Sequence, residues 1–154
     1  MNIDRFDRKI LQALQKDGRI SNVDLADLVS LSESACLRRV RRLEESGFID
    51  KYTALLNQHQ ANLAGNVFVH ITLHREKQSD LAAFEAAVQN LPEVMECYLM
   101  TGEFDYLLRV LGSDMADFER LHNDALTRLP GVARVNSSVA IRTVTKTTEL
   151  PLLK

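Results

Sequence analysis

The chain has 154 residues, 45% hydrophobic and 26% charged, which is room for one ordinary domain or two small ones and the composition of a globular protein. Nineteen Lys and Arg stand against 21 Asp and Glu, so any affinity for a polyanion has to be local rather than general. No apolar run approaches the roughly 18 residues of a membrane span, and the charged opening MNIDRFDRKI does not fit a signal peptide, so the expectation is a cytoplasmic protein with no membrane partner.

The first third predicts three short helices. DRFDRKILQALQKDG places Phe6, Ile10, Leu11 and Leu14 at helical spacing, and Gly18 stops the run. SNVDLADLVSLS opens on Ser21 as N-cap with Asp24 three residues on, an acidic capping box. Val23, Leu25, Ala26, Leu28 and Val29 supply its apolar face. After a turn at residues 30–32, a third helix runs from about Glu33 to Ser46 and ends at Gly47 as its C′ residue. Two short helices, a tight turn and a longer third helix form a helix-turn-helix.

The third helix carries RRVRR, residues 38–42, although residues 1–51 hold ten Lys and Arg against nine Asp and Glu. At about 100° per residue, Cys36, Leu37, Val40 and Leu43 form the core face. Ser34, Arg38, Arg41 and Arg42 point away from it, with Glu45 among them, and Arg39 sits on the flank. Most charge runs are solvated helix faces, but this one lies where a recognition helix meets the major groove, and Arg pairs bidentately with guanine or phosphate. GFIDKYTALL then predicts a turn and a strand, the wing of a winged helix. The candidate DNA contacts are Ser32, Ser34, Arg38, Arg41, Arg42 and Lys51, in a DNA-binding domain over residues 1–55.

LNQHQANLAG is polar and ends in Gly, and residues 56–65 are expected to be a linker. Residues 66–154 then form a second domain built on an internal repeat. SDLAAF (79–84) recurs as SDMADF (113–118), and LPEV (91–94) as LPGV (129–132). The offsets differ by about one helical turn, so the second helix is expected to be a turn longer. Each unit predicts strand, Ser-capped helix, Leu-Pro stop and strand, with strands at NVFVHITLH, MECYLM, FDYLLRVLG and ARVNSSVAIRTV. Two such units give a ferredoxin-like βαββαβ fold, so the chain as a whole is α+β. One sheet face stays free of helices, and the half-apolar set Phe68, His70, Thr72 and His74 calls for a partner there.

No catalytic constellation is present, so no enzyme is expected. His70 and His74 would lie about 13 Å apart on a strand, too far for one metal ion, and Cys36 and Cys97 fit no zinc or redox spacing; neither metal nor cofactor is expected. In YLMTGEFDYLL, Gly102 marks a hairpin tip whose backbone N–H groups can hold a carboxylate, with Asp105 placed to accept an ammonium. A free amino acid carries both groups. A plain hairpin, with Gly for geometry and Asp for solubility, is the alternative.

Residues 7–57, from DRKILQALQ to KYTALLN, together with TGEFDYLLRV and LPGV, resemble the leucine-responsive and asparagine regulators, the Lrp/AsnC family, over nearly the whole chain. The likeness is greatest to the leucine-responsive branch. The resemblance implies a regulator of transcription that binds double-stranded DNA, forms homodimers assembling into octamers, and takes an amino-acid effector at dimer–dimer contacts. It implies hairpin contacts from Met100, Thr101, Gly102 and Asp105, with Tyr106 adjacent, and last-strand contacts from Val135 and Ser137. Val135 stands where some relatives carry a polar residue, which implies an apolar effector of the leucine or methionine type. Gln58 replaces the proline usual in the family's linker, which implies a looser hinge. The competing expectation is an architectural, nucleoid-type protein with little sequence preference and no ligand response.

Overall fold

A computed structural model describes residues 2–152. The first helix, α1 (Arg5–Lys16), begins at a carboxylate. Asp4 accepts hydrogen bonds from the N–H groups of Phe6 and Asp7, and Asp7 accepts from the N–H of Asp4, closing a capping box. Ser21 caps α2 (Asn22–Val29) through the N–H of Asp24, but Asp24 turns back to the Ser21 hydroxyl rather than to its backbone, so the box expected there is only half formed. Ser30, left-handed at φ 58°, makes the turn. Ser32 then caps α3 (Glu33–Glu45) through the N–H of Ala35. Gly47 at φ 74° ends α3: its N–H reaches Glu44 O and that of Phe48 reaches Leu43 O, the two bonds of a Schellman motif.

Ile10, Leu11, Leu25, Ala26, Val29, Cys36 and Leu43 form the core of this unit. Three residues assigned to apolar faces by periodicity lie at its edge instead: Val23, Leu28 and Leu37 are 49%, 59% and 39% exposed. Helices this short have only one narrow buried stripe. Among the described residues, no strand forms at the predicted wing: residues 48–55 hold no regular structure, and Tyr52 anchors them by packing on Gly18 and donating to Glu44 Oε1 at 3.0 Å.

The chain divides into two compact units, Met1–Leu55 with Thr145–Lys154, and Leu56–Val144. The tail was expected to belong with the second domain; it packs on the first. Gln15 donates to Leu150 O and accepts from Leu150 N–H, and Leu152 packs against the helical core. These contacts join residues 135 apart in sequence, which local pattern cannot reveal.

In the second unit, β1 (Gly65–Leu73), α4 (Gln78–Val88), β2 (Val94–Leu99), β3 (Tyr106–Gly112), α5 (Met115–Asp124) and β4 (Val132–Val139) follow the expected order. The sheet is antiparallel in the order β2-β3-β1-β4. Val67, Val69, Ile71 and Leu73 alternate into the core with Phe84, Val88, Tyr106, Leu108, Val110, Leu121 and Leu126. Three details depart from the repeat. Ser79 and Ser113 are not caps: Lys77 precedes α4 without a side-chain bond, and Asp114 caps α5 through the N–H of Asp117. The extra turn after α5 is a 3-10 turn (Leu126–Arg128), because α5 stops at Asp124, one residue shorter than α4. β4 ends at Val139, five residues before the predicted limit.

The stretch expected to be a loose linker contains one closed helical turn. Asn57 Oδ1 accepts from the N–H groups of His59 and Gln60. Asn62, at φ 56°, ends the turn with bonds from its own N–H to His59 O and from Leu63 N–H to Gln58 O. Gln58 therefore occupies the first helical position, the one where proline loses nothing by lacking an N–H. The turn forms with glutamine there.

Phe84, fully buried, stacks on Tyr106 with ring centroids 4.4 Å apart. Phe84→Ala is expected to cost about 3–5 kcal/mol. Hydrogen exchange under native conditions checks it: protection should fall across β1–β4 while α1–α3 keep theirs.

Candidate nucleic-acid interface and ligand loop

The four arginines of α3 have different fates. Arg38 and Arg41 are exposed and, among the described residues, make no ion pair. With Ser34, Leu37, Arg42 and Glu45 they line a shallow groove along the outer face of α3. Arg39, the flank residue, donates to Asp4 Oδ2 at 2.7 Å and to Asp7 Oδ1 at 2.8 Å. Arg42 was expected to project freely. Its Nη2 instead lies 2.6 Å from Asp7 Oδ2. A helical wheel cannot show this, because the partner comes from α1, 35 residues away. Ser32 is committed to capping α3, its hydroxyl 3.3 Å from that of Ser34. Lys51 is exposed on the extended segment.

Asp7 is the one buried charged residue among those described, with no exposed surface. A desolvated carboxylate needs compensation, and Asp7 receives two guanidinium groups and the N–H of Asp4. Asp4, on the rim, is held well below its ordinary 3.8, to about 2. The N–H of Asp7 contributes most, and the Arg39 guanidinium and the N–H of Phe6 add to it against partial desolvation.

In the second unit, residues 100–105 form the β2–β3 hairpin. Met100 N–H bonds to Asp105 O, and Asp105 N–H bonds across to Ile71 O. Gly102 sits at φ 128°, a backbone that L side chains rarely adopt. Among the described residues, the N–H groups of Thr101, Gly102, Glu103 and Phe104 have no hydrogen-bond partner in the chain. The Asp105 carboxylate is partly engaged: Oδ2 accepts from Leu73 N–H at 2.6 Å, and Oδ1 is open. Phe104 stacks on His70 at 4.1 Å, bracing the loop against the helix-free face.

The remaining expected effector residues point elsewhere. Tyr106 is 1% exposed, packs on Phe84 and donates to Glu85 Oε1 at 2.8 Å. Burial, and next to it the Glu85 carboxylate, push its hydroxyl far above the ordinary range. It is a core residue, not a wall of the loop. Val135 and Ser137 pair with Ile71 and Val69, and so lie on the helix-facing side. Val135 packs against the core there, and Ser137 is exposed. β1 stands between them and Asp105, and they face the helix side of the sheet, so one chain does not gather all seven residues.

Residues 66–150 match the Lrp/AsnC ligand binding domain, and residues 3–50 match a winged helix-turn-helix DNA-binding domain. The chain belongs to the Lrp/AsnC family. It is similar to the leucine-responsive regulatory protein of Salmonella typhimurium, 49% identical over 149 residues, which is 97% of this chain and 91% of that protein. Its fold is similar to a transcriptional regulator from Neisseria meningitidis solved as an L-Met complex, with TM-score 0.94, 40% identity and coverage of 98% and 97% of the two chains. It is also similar to an AsnC family transcriptional regulator from Agrobacterium tumefaciens, with TM-score 0.93, 39% identity and 97% of each chain. This Lrp/AsnC protein is thus a DNA-binding transcription regulator with an amino-acid-binding domain, and not an enzyme. Among the described residues no group of His, Cys, Asp and Glu could hold a metal ion, and no helix is long and apolar enough to cross a membrane.

A carboxylate whose folded pKa is depressed stabilises the fold above its unfolded value and loses that contribution as pH falls through the folded value. For Asp4 the window runs from 3.8 down to about 2. Thermal melts in that range should show the helical unit weakening as acid is added, and Asp4→Asn should flatten that part of the profile. A carboxyl titration by NMR with an Asp4 midpoint near the ordinary 3.8 would contradict this.

Proposed function

We propose that this Lrp/AsnC regulator senses a free apolar L-amino acid, of the leucine or methionine type, at the tip of the β2–β3 hairpin. The observation that carries it is the run of four unpaired N–H groups at residues 101–104 beside the open oxygen of Asp105. Such a nest offers donors to an α-carboxylate, and Asp105 offers an acceptor to the α-ammonium. The relatives support the apolar choice: one is a leucine-responsive protein and one was solved with L-Met. Val135 and Ser137 stand apart from the hairpin in one chain, so they join the site only if a second copy brings its β4 to this loop. Met100, 36% exposed, supplies apolar surface at the loop's base.

The helix-free sheet face is the proposed dimer contact. It presents Phe68, Tyr98 and His70 around Arg109, which is bonded to Glu96 and Asn66. The family resemblance extends the assembly to an octamer, working in the cytoplasm. On DNA, Arg38 and Arg41 meet the major groove, Ser34 sits beside them, Ser32 fixes the start of α3, and Lys51 reaches a phosphate.

Two outcomes test this. Arg38→Ala should cost about 1–3 kcal/mol on a selected site and less on random DNA, as gel-shift titration would show. Arg39→Ala should act on stability instead, because Arg39 is bound to Asp4 and Asp7. L-leucine or L-methionine should raise the melting temperature of the intact protein. Asp105→Asn, which keeps an acceptor for Leu73 N–H and removes the charge, should weaken that ligand at least about tenfold by calorimetry. No thermal shift with any of the twenty amino acids would favour an architectural DNA-binding role.

A further inference from the structure

Four chemically identical side chains lie within five positions on α3, and the fold treats them as two pairs. On a wheel of about 100° per residue, Arg38 and Arg41 lie on one strip and Arg39 and Arg42 on the next. The second strip faces the first turn of α1, where Asp7 has no exposed surface. Asp7 Oδ1 takes Arg39 and Oδ2 takes Arg42, at 2.8 and 2.6 Å. Asp4 adds a second carboxylate against Arg39 at 2.7 Å. Two negative and two positive groups make a locally neutral patch. The uncompensated positive charge of α3 is then Arg38 and Arg41.

The position of Arg42 sharpens the point. Its side chain is 49% exposed and it shares the groove wall with Arg38 and Arg41. Reach and exposure would let it serve a phosphate. Leaving Asp7, however, would strip half the compensation from a fully buried carboxylate, which is strongly unfavourable. The partner across the helix interface, not exposure, sets whether this arginine is available.

We propose that Asp7 is a positioning residue for DNA binding: its buried carboxylate sequesters Arg42 along with Arg39, so that Arg38 and Arg41 alone carry the charge of α3 to DNA. This rests on α3 being the DNA-facing helix. Asp7 itself touches no DNA. It acts through Arg42, limiting the number of phosphates the helix neutralises and fixing which strip of α3 faces the duplex.

The distinguishing readout is the salt dependence of binding, because each phosphate neutralised adds about 0.9 to the slope of log K against log salt. The full-length protein is titrated with a duplex of random sequence, and slopes are compared per DNA-binding unit. In the wild-type background, Arg41→Gln should lower the slope by about 0.9 and Arg42→Gln should leave it unchanged. Asp7→Asn, which keeps the side chain's size and one acceptor, should raise the slope by about 0.9, and adding Arg42→Gln should remove that gain. A purely structural ion pair would change the melting temperature and leave the Asp7→Asn slope at the wild-type value. Arg42→Gln lowering the slope in the wild type as much as Arg41→Gln would overturn the proposal, as would an Asp7→Asn slope equal to wild type. If Arg41→Gln itself changes nothing, the failure lies with α3 as the DNA face instead. Should Asp7→Asn not fold by circular dichroism, Asp7→Ser, likewise uncharged and smaller, takes its place, and an Arg42→Gln slope as low as that of Arg41→Gln still overturns the proposal.

Discussion

A buried carboxylate, Asp7, ties α1 to α3 in the helical unit. Asp7 lies in the first turn of α1, and among the described residues the cations it pairs with, Arg39 and Arg42, are on α3. Burying it is tolerable because each of its oxygens is matched by a guanidinium. Among the described residues, the apolar core of this unit has seven buried residues from three short helices, with partly buried Leu14, Val40 and Ile49 packed against them. The Asp7 pairs add a directional constraint to the apolar packing that sets how α3 lies against α1. The capping box of α1 belongs to the same cluster, since Asp4 both starts the helix and holds Arg39.

The sheet unit is organised around β1, which pairs with both β3 and β4 along most of its length. One alternation of its side chains fills the core and the other faces away from the helices. The hairpin at the far edge of β3 is braced from β1: Ile71 O holds the backbone of Asp105, Leu73 N–H holds its carboxylate, and His70 stacks on Phe104. The loop's free donors are thus presented by a rigid base. A flexible loop would lose ordering entropy on closing around a small ligand, and a braced one loses less.

The chain passes between the two units twice, at residues 55–56 and at residues 144–145, and the tail after the second crossing packs on α1. β4 also carries Val135 and Ser137. Ligand control of DNA binding requires that the ligand favour one state over another.

Much of this was legible in the sequence because it depends on local rules. Helical spacing, Ser21 before α2, Gly47 after α3, strand alternation at 66–73 and the repeated SDxAxF and LPxV segments each act over a few residues, and together they gave the helix-turn-helix and the βαββαβ order. The prominence of Gly102 and Asp105 was visible too, since a turn that needs positive φ shows itself by its glycine. What only the tertiary structure decided involves partners distant in sequence. Arg42 is spoken for by a residue 35 positions earlier, Leu150 by Gln15 across 135 positions, and Tyr106 by Phe84 and Glu85 on a packed helix. The wheel set Arg38 and Arg41 on an exposed face but could not show that Arg42 is held by Asp7, because a wheel follows from the 3.6-residue period, whereas availability depends on which charges the folded chain brings alongside.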